Sequence, residues 1–263
     1  MTDHPAIELI RHDRVAELRL CRPELLNRFD MQLHRELEYM LGELGRDAEV
    51  LAVVLSSTGR VFSAGGDTDV MLECAGDMAK RLDLIDEGRR LFRAVADFPK
   101  PLVVALSANS YGLGTSLVLA ADAIVSCPGV EFSDPHVVMA LVAGDGGCVS
   151  WPTAMGMIRA KRHLLTGDPL SADDAFRMGV VTDMEATADA VLPAALALAA
   201  RIAALPPLAV QLTKRALNKV MMARTGEVLD LGFYLEGITF GSADLQEAVS
   251  AFKGKRAPRW EGR

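Results

Sequence analysis

The sequence predicts an α/β fold whose strands run parallel. Short apolar runs typical of buried strands, such as "VLAVVLSS" and "PLVVAL", are each followed by a glycine-containing turn and then by apolar residues at helical spacing. This repeating cycle of strand, turn and helix is the pattern of parallel sheets covered by helices. From about Thr187 onward the pattern is almost entirely helical. We therefore expect residues 1–190 to form an α/β core and residues 191–263 to form a helical C-terminal region.

Local patterns predict the individual elements in order. Alternation in "IELIRHDRVAELRL" around a His-Asp-Arg turn predicts a β-hairpin. Residues Met31 to Gly45, and later Gly76 to Phe98, carry apolar residues at helical spacing, so each stretch is expected to form one helix. "LGTSLVLAAD" predicts a further helix, and "AIVSC" predicts the strand after it. Helices in the C-terminal region are expected to stop at "LPPLA" and at "RTGE".

Composition excludes some classes of partner. The net charge is −7 and the isoelectric point is about 5.3, whereas a nucleic-acid-binding protein needs a basic face to neutralise phosphates. The stretch from Leu102 to Ala121 has no charge and is long enough to span a bilayer. Its middle, "SANSYGLGTS", is polar and contains glycine, so a buried strand, a turn and a helix are expected there. We expect neither a nucleic acid nor a membrane as a partner.

The cysteines and histidines indicate neither a disulfide framework nor a metal site. The four cysteines are far apart and include no C-x-x-C pair, which is typical of reduced thiols. The five histidines are dispersed, so no metal site is expected. The N-terminal segment lacks the basic and apolar parts of a secretory signal. Together these features lead us to expect a cytoplasmic protein.

The segment "EFSDPHVVMALVAGDGG", Glu131 to Gly147, places two titratable groups in an otherwise apolar stretch. His136 precedes Asp145 by nine residues, and glycines flank the aspartate. One interpretation is structural: His136 is a hydrogen-bonded core histidine, and Asp145 caps a helix that begins near Gly146. The other is catalytic, because a carboxylate that accepts a hydrogen bond from imidazole fixes its tautomer and raises its basicity.

Two glycine-rich loops, "GRVFSAGGD" and "SYGLGTSLVLAAD", each follow a predicted strand. Small residues let backbone N–H groups approach a ligand closely, although an ordinary tight turn would have the same composition. The second loop is a weak candidate for a dinucleotide site, because Leu117 occupies the place of the third glycine.

The order of these motifs resembles that of the crotonase superfamily, the enoyl-CoA hydratase/isomerase family, from about Ile7 to Trp260. The resemblance implies an α/β spiral of ββα units with a helical C-terminal trimerisation region. It also implies a homotrimer or a dimer of trimers, an acyl-CoA thioester as substrate and no other cofactor. The motifs that carry it are "RPELLNRFD", "GRVFSAGGD", "KPLVVALSANSYGLGTSLVLAAD", "FSDPH", "AKRHLLTGDPLSADDAFRMGVV", "PPLAVQLTKRAL" and "FKGKRAPRW".

The resemblance also implies roles for individual residues. The backbone N–H groups of Gly66 and Leu113 would form an oxyanion hole for the thioester oxygen. The walls of the acyl pocket would come from residues 70–90. For Lys214 and Lys255 a solvated helix face is the alternative interpretation. The residues expected to contact coenzyme A or the acyl group are Arg28, Ala64, Asp67, Ser116, Lys214, Phe252 and Lys255.

The sequence departs from the hydratase pattern at both catalytic glutamates. Ser116 stands in place of the first and His136 in place of the second. His136 and Asp145 instead resemble the pair of the carbon–carbon hydrolases that cleave cyclic β-diketones.

Three hypotheses therefore remain open. The first is an enoyl-CoA hydratase-like lyase or isomerase in which His136 and Asp145 transfer protons to and from a thioester enolate. The second is a retro-Claisen hydrolase of a β-diketone or β-keto thioester, although no second histidine lies near "GLG" in the sequence. The third is a catalytically silent acyl-CoA-binding protein.

Overall fold

The computed structural model describes residues 5–263. Residues 1–4 lie outside the described residues. They are the start of the N-terminal segment in which we expect no secretory signal. Within the described part of the chain, no single helix is both long and apolar enough to cross a membrane. The segments Ala188–Ala203 and Pro207–Phe240 meet those two criteria only when they are joined across a bend of 109°. The stretch Leu102 to Ala121 forms a strand, a turn and a helix, as predicted.

Two β-sheets form the framework of the fold. The strands are β1 (Ile7–His12), β2 (Val15–Leu20), β3 (Ala52–Ser57), β4 (Leu102–Leu106), β5 (Ser110–Tyr111), β6 (Ala123–Ser126), β7 (Glu131–Ser133), β8 (Leu170–Ser171) and β9 (Asp183–Met184). The larger sheet has the order β1-β2-β3-β4-β6-β9, and all its neighbours are parallel except the β1–β2 hairpin. The smaller sheet has the order β5-β7-β8. The predicted hairpin and parallel core are therefore confirmed.

Helices connect the strands and fill the C-terminal region. They are α1 (Met31–Arg46), α2 (Thr68–Gly76), α3 (Met78–Ala96), α4 (Leu113–Val118), α5 (Gly147–Met155), α6 (Met157–Thr166), α7 (Ala172–Arg177), α8 (Ala188–Ala203), α9 (Pro207–Arg224), α10 (Asp230–Phe240) and α11 (Ala243–Lys253). A short 3₁₀-helix spans His136–Met139. Helix α8 packs against β3, β4 and β6 through small buried residues such as Ala195 and Ala199, so it shares the core of the sheet.

The smaller sheet aligns the two glycine-rich loops. Ser63, in the first loop, forms a parallel bridge with Ser110 at the start of β5, and β5 runs parallel to β7. The N–H of Gly112 donates to the carbonyl of Ser133 at 3.0 Å. Gly65 has φ +79°, and a Cβ there would lie 2.8 Å from the carbonyl oxygen of Tyr111. Only glycine lets the two loops come this close.

Two predicted helix boundaries are wrong, for local reasons. Gly76 ends α2 and does not begin α3, because the Asp77 carboxylate accepts hydrogen bonds from the N–H groups of Ala79 and Lys80 and caps a new helix. Contrary to the prediction, the "RTGE" segment does not end the helical structure. It forms a π-helical stretch, Thr225–Leu229, that carries the backbone from α9 into α10. Extra residues in such a turn are accommodated by wider i→i+5 hydrogen bonds.

Candidate active site

Two adjacent spaces lie where the glycine-rich loops meet the C-terminal helices. The inner chamber has a volume of about 50 Å³, and the outer channel has a volume of about 410 Å³. Gly66, Met71 and His136 line both, so they mark the junction between them. Apolar side chains that line the inner chamber include Phe29, Val70, Met71, Leu84, Ile85, Leu113, Phe233 and Phe240. The segment 70–90 thus supplies part of the wall, as expected, and α10, Phe29 and Leu113 supply further parts of it.

His136 and Asp145 meet at this junction. The Nε2 atom of His136 lies 3.2 Å from Oδ2 of Asp145, and both side chains line the inner chamber. The predicted contact between them is therefore confirmed. The other ring nitrogen, Nδ1, is held by Oδ1 of Asp134. The imidazole is thus fixed between two carboxylates, an arrangement that sets its orientation and retains its protons.

The capping interpretation of Asp145 is wrong. Helix α5 begins at Gly147, its N-cap is Gly146, and no side chain caps it. The Asp145 oxygens contact His136 and the Oγ of Ser116, which lies 3.3 Å from Oδ1. Gly146 has φ +117°, and a Cβ there would lie 2.2 Å from the Phe92 ring. The turn that presents Asp145 to the chamber therefore requires glycine at position 146.

Burial and neighbouring charges determine the protonation of the chamber. Burial lowers the pKa of His136, but the negative charges of Asp134 and Asp145 outweigh this effect and hold that pKa well above its usual value of 6.5. Burial raises the pKa of Glu236 well above its usual 4.5, and the charge of Asp145 adds to the rise while His136 opposes it. Near neutral pH these shifts favour an imidazolium at His136 and a neutral carboxylic acid at Glu236.

These two shifts predict that stability falls as pH rises. Both groups bind protons more tightly in the folded state than in the unfolded state. Their stabilising contributions are complete below the unfolded values, near 4.5 and 6.5, and are lost as pH rises through the higher folded values. Urea unfolding from pH 6 upward should show a falling free energy of unfolding. The fall should be shallower in Glu236→Gln, which has no proton to lose. A flat or rising profile in the unmodified protein would contradict these protonation states.

The two predicted oxyanion donors face the chamber. Gly66 and Leu113 both line it, and no acceptor within residues 5–263 takes the backbone N–H of either residue. Leu113 is the first residue of α4, where an N–H group has no partner inside the helix. Both donors are therefore available to a ligand.

The predicted coenzyme A contacts near the first glycine-rich loop lie together. The N–H of Ala64 donates to the carbonyl of Leu26 at 3.0 Å, which places the "NRF" turn against the loop. Nε of Arg28 lies 3.0 Å from Oδ2 of Asp67, and Oδ1 of Asp67 accepts the N–H of Asp69 and caps α2. Ala64 lines the outer channel and Asp67 lines the inner chamber. Their roles as coenzyme A contacts stay predictions.

The C-terminal residues predicted to bind coenzyme A lie apart from one another. Phe252 lines the outer channel and is 68% exposed. Lys255 is exposed and lines neither space. Lys214 is buried: its Nζ donates to Oδ2 of Asp122 at 2.6 Å and to the carbonyl of Lys100 at 2.7 Å. Its burial contradicts a solvated helix face, and these contacts favour a role in joining α9 to the sheet. The role of Lys214 as a coenzyme A contact stays a prediction.

Lys214→Met should therefore destabilise the fold more than it weakens coenzyme A binding. It removes the ammonium group that joins the Lys100 carbonyl to the partly exposed Asp122 carboxylate, which we expect to lower the free energy of unfolding by about 1 to 2 kcal/mol. Lys219→Met, on the exposed side of the same helix, is the matched control and should have little effect. Denaturant unfolding and calorimetry with coenzyme A measure the two quantities. Unchanged stability with weakened binding would restore the predicted ligand contact.

Three groups were not predicted from the sequence: Asp134, which holds His136 from behind, and Glu236 and His34, which line the chamber. Asp134 is part of the motif "FSDPH", but only His136 of that motif was predicted to have a role. Glu236 comes from α10, where it is 5% exposed and interrupts the apolar run "FYLEGITF". His34 of α1 comes from a distant part of the sequence and also lines the chamber. Its spacing from Leu37 and Leu41 is typical of the buried face of a helix. A polar residue at an apolar position was the signal for the last two.

The carboxylates around His136 also form a group with metal-like spacing. One ligand atom each from Asp134, His136 and Asp145 lie within 4.8 Å of one another. A metal ion would have to replace the proton between Nε2 and Asp145. The expectation of no metal site, based on dispersed histidines, stays a prediction.

Comparison with known proteins identifies the family. The sequence profile of the enoyl-CoA hydratase/isomerase family matches residues 11–263. The chain is 32% identical to 1,2-epoxyphenylacetyl-CoA isomerase of Escherichia coli, over 95% of both proteins. It is 28% identical to short-chain-enoyl-CoA hydratase of Clostridium acetobutylicum, over 94% of both proteins. The crystal structure of an enoyl-CoA hydratase/isomerase from Mycobacterium paratuberculosis superimposes with a TM-score of 0.89 at 31% identity, over 95% of this chain and 99% of that one. The chain therefore belongs to the enoyl-CoA hydratase/isomerase family, with the crotonase fold, and is an enzyme that acts on an acyl-CoA.

Proposed function

We propose that the protein is an enoyl-CoA hydratase-like lyase or isomerase that works through a thioester enolate, with His136 and Asp145 as its proton-transfer groups. The observation that carries this proposal is the meeting of that pair with the free N–H groups of Gly66 and Leu113 in one chamber. No cofactor beyond the coenzyme A of the substrate is required.

The two spaces suit the two ends of an acyl-CoA. The outer channel has a volume of about 410 Å³ and a mostly apolar lining, which suits the pantetheine arm, and Ala64 lies in its wall. The acyl group would pass the junction at Gly66 and enter the inner chamber. The thioester oxygen would then accept hydrogen bonds from Gly66 and Leu113, which stabilise negative charge as the enolate forms.

The protonation of the resting site assigns the acid and the base. Asp145 is the base that removes a proton from the acyl chain, and the imidazolium of His136 is the acid that returns one. Asp134 keeps its hydrogen bond to Nδ1 while Nε2 gives up its proton, so the ring does not turn during transfer. Ser116 donates to Oδ1 of Asp145, so Oδ2, which contacts Nε2 of His136, is the oxygen that takes up the proton. Such positioned acid–base pairs contribute about 10² to 10⁴ in rate.

The relatives named above include a hydratase and an isomerase, and both reactions need one proton removed and one delivered. Incubation with a panel of enoyl-CoA thioesters that begins with crotonyl-CoA tests the proposal. We expect a hydroxyacyl-CoA or a shifted double bond as product, detected by chromatography and mass spectrometry. Tight binding of the whole panel without turnover would instead support the catalytically silent acyl-CoA-binding protein.

A second candidate, retro-Claisen hydrolysis of a β-keto thioester or β-diketone, gains support from His34. Its Nδ1 lies 2.8 Å from the carbonyl of Asp30 and must donate to it, so Nε2 is an acceptor. Burial lowers the pKa of His34, which keeps the ring neutral. A second imidazole that can hold water therefore lines the chamber. Release of acetyl-CoA from acetoacetyl-CoA would favour this reaction over hydration.

We also propose a homotrimer or a dimer of trimers. Helices α9 and α10 expose large apolar side chains, including Leu208, Leu217, Val220 and Tyr234, each at least 66% exposed in the single chain. Surfaces of this kind mark interfaces in soluble proteins. Light scattering at micromolar concentration should give three or six times the chain mass. A stable monomer would overturn this part of the proposal.

A further inference from the structure

Glu236 is the chamber residue that the proposed reaction does not use. It reaches the site from α10, one hundred residues after His136, and its Oε1 lies 3.9 Å from Nε2 of that histidine. Within residues 5–263, Oε2 is buried without a hydrogen-bond partner. A buried polar atom without a partner is costly, so its presence in a ligand chamber points to a ligand group that completes it.

Glu236 lies beside the proton-transfer pair, on the side of the inner chamber. It lines the inner chamber and not the outer channel, whereas Gly66 and His136 line both. A thioester held at Gly66 therefore points the far part of its acyl chain toward Glu236. The surrounding wall is aromatic and aliphatic, with Phe233 and Phe240 on the same helix. Glu236 is thus a polar group that lies between the proton-transfer pair and the apolar wall of the chamber.

The size of the chamber limits the acyl chain. One water-sized group needs about 10 to 15 Å³ of such volume, so a chamber of about 50 Å³ holds roughly three to five such groups. That suits an acyl chain of about four carbons and not a long-chain fatty acyl group.

The charges around Glu236 exclude an anionic acyl group. Among the described residues that line the chamber there is no lysine or arginine. The positive charge of His136 is already matched by Asp134 and Asp145, and Asp67 is paired with Arg28 outside. A carboxylate at the end of the acyl chain would be buried beside like charges without a partner, which is strongly unfavourable.

We propose that Glu236 selects the substrate by donating a hydrogen bond to an oxygen at the third position of a short, uncharged acyl chain, and that the chamber rejects acyl chains ending in a carboxylate. This inference rests on the proposed function, because it assumes a thioester at Gly66 and Leu113. It names the substrate class of that site: short, neutral acyl-CoA thioesters with a β-oxygen.

Two pairs of thioesters of matched shape test both parts by calorimetry. Butyryl-CoA and methoxyacetyl-CoA differ only in a methylene replaced by oxygen at the third position. Isovaleryl-CoA ends in a neutral branched group, and malonyl-CoA ends in a carboxylate of similar shape. Methoxyacetyl-CoA should bind about three- to tenfold more tightly than butyryl-CoA. Isovaleryl-CoA should bind at least about tenfold more tightly than malonyl-CoA.

Variants assign the oxygen preference to Glu236. Glu236→Gln keeps an N–H donor and should keep the preference, whereas Glu236→Leu has no donor and should lose it. Equal binding of butyryl-CoA and methoxyacetyl-CoA by the unmodified protein, or a preference that persists in Glu236→Leu, would overturn the inference. So would binding of malonyl-CoA as tight as that of isovaleryl-CoA. If none of the four thioesters binds more tightly than free coenzyme A, the proposed function fails instead.

Discussion

His136→Ala should lower kcat for an accepted acyl-CoA by about a hundredfold or more, while coenzyme A affinity stays nearly unchanged. In the proposed mechanism the imidazole supplies the transferred proton, whereas the outer channel proposed for the pantetheine arm is lined mostly by other residues. Asp145→Asn should cause a loss of similar size, because the amide cannot accept a proton. Steady-state kinetics and calorimetry measure the two effects separately.

The double variant His136→Ala/Asp145→Asn provides the sharper result. The two side chains are in contact and act as one unit, so the double variant should be little slower than either single variant. His163→Ala is a matched control on α6, away from the chamber lining, and should keep full activity. Losses that multiply in the double variant would show that the two groups act independently, contrary to the proposed pair.

Gly66→Pro should lower kcat by about a hundred- to a thousandfold, because proline has no N–H to donate to the thioester oxygen. Gly66→Ala is the matched control, since alanine keeps the N–H. Its Cβ would lie 2.7 Å from Cε of Met71, the mobile end of a flexible side chain, so Met71 can move aside. We therefore expect the alanine variant to keep most of its activity.

Kinetics of both Gly66 variants on one confirmed thioester separate the donor from the shape of the loop. Equal losses in the alanine and proline variants would assign the effect to crowding at Met71 and not to the N–H group. Unchanged turnover in Gly66→Pro would remove Gly66 from the oxyanion hole.

The elements with strong local signals could be predicted from the sequence. The alternation around Asp13 predicts the hairpin, and the uncharged run from Leu102 to Leu106 predicts a buried strand. Boundaries depended on weaker cues: the Asp77 cap begins α3 at Met78 and not at the expected Gly76. At "RTGE" the glycine was expected to end a helix, but a π-helical stretch continues the helix there.

The catalytic pair could be predicted because its two residues lie in one short segment with an unusual pattern. Glu236 and His34 could not, because tertiary packing of α10 and α1 brings them to the chamber from distant parts of the chain. Lys214 shows that a sequence motif can also suggest a contact without showing the contacts that the folded chain already makes. A lysine in a family motif suggests a ligand contact, but only the fold shows that Asp122 and the carbonyl of Lys100 already hold its ammonium group.

Exchange of the α-protons of butyryl-CoA in heavy water tests the central claim most directly, since it detects the enolate without requiring the natural substrate. The protein should catalyse deuterium incorporation at the carbon next to the thioester, followed by mass spectrometry, and Asp145→Asn should abolish it. Butyryl-CoA that binds, as shown by calorimetry, yet exchanges no faster than in buffer would contradict an enolate mechanism at His136 and Asp145.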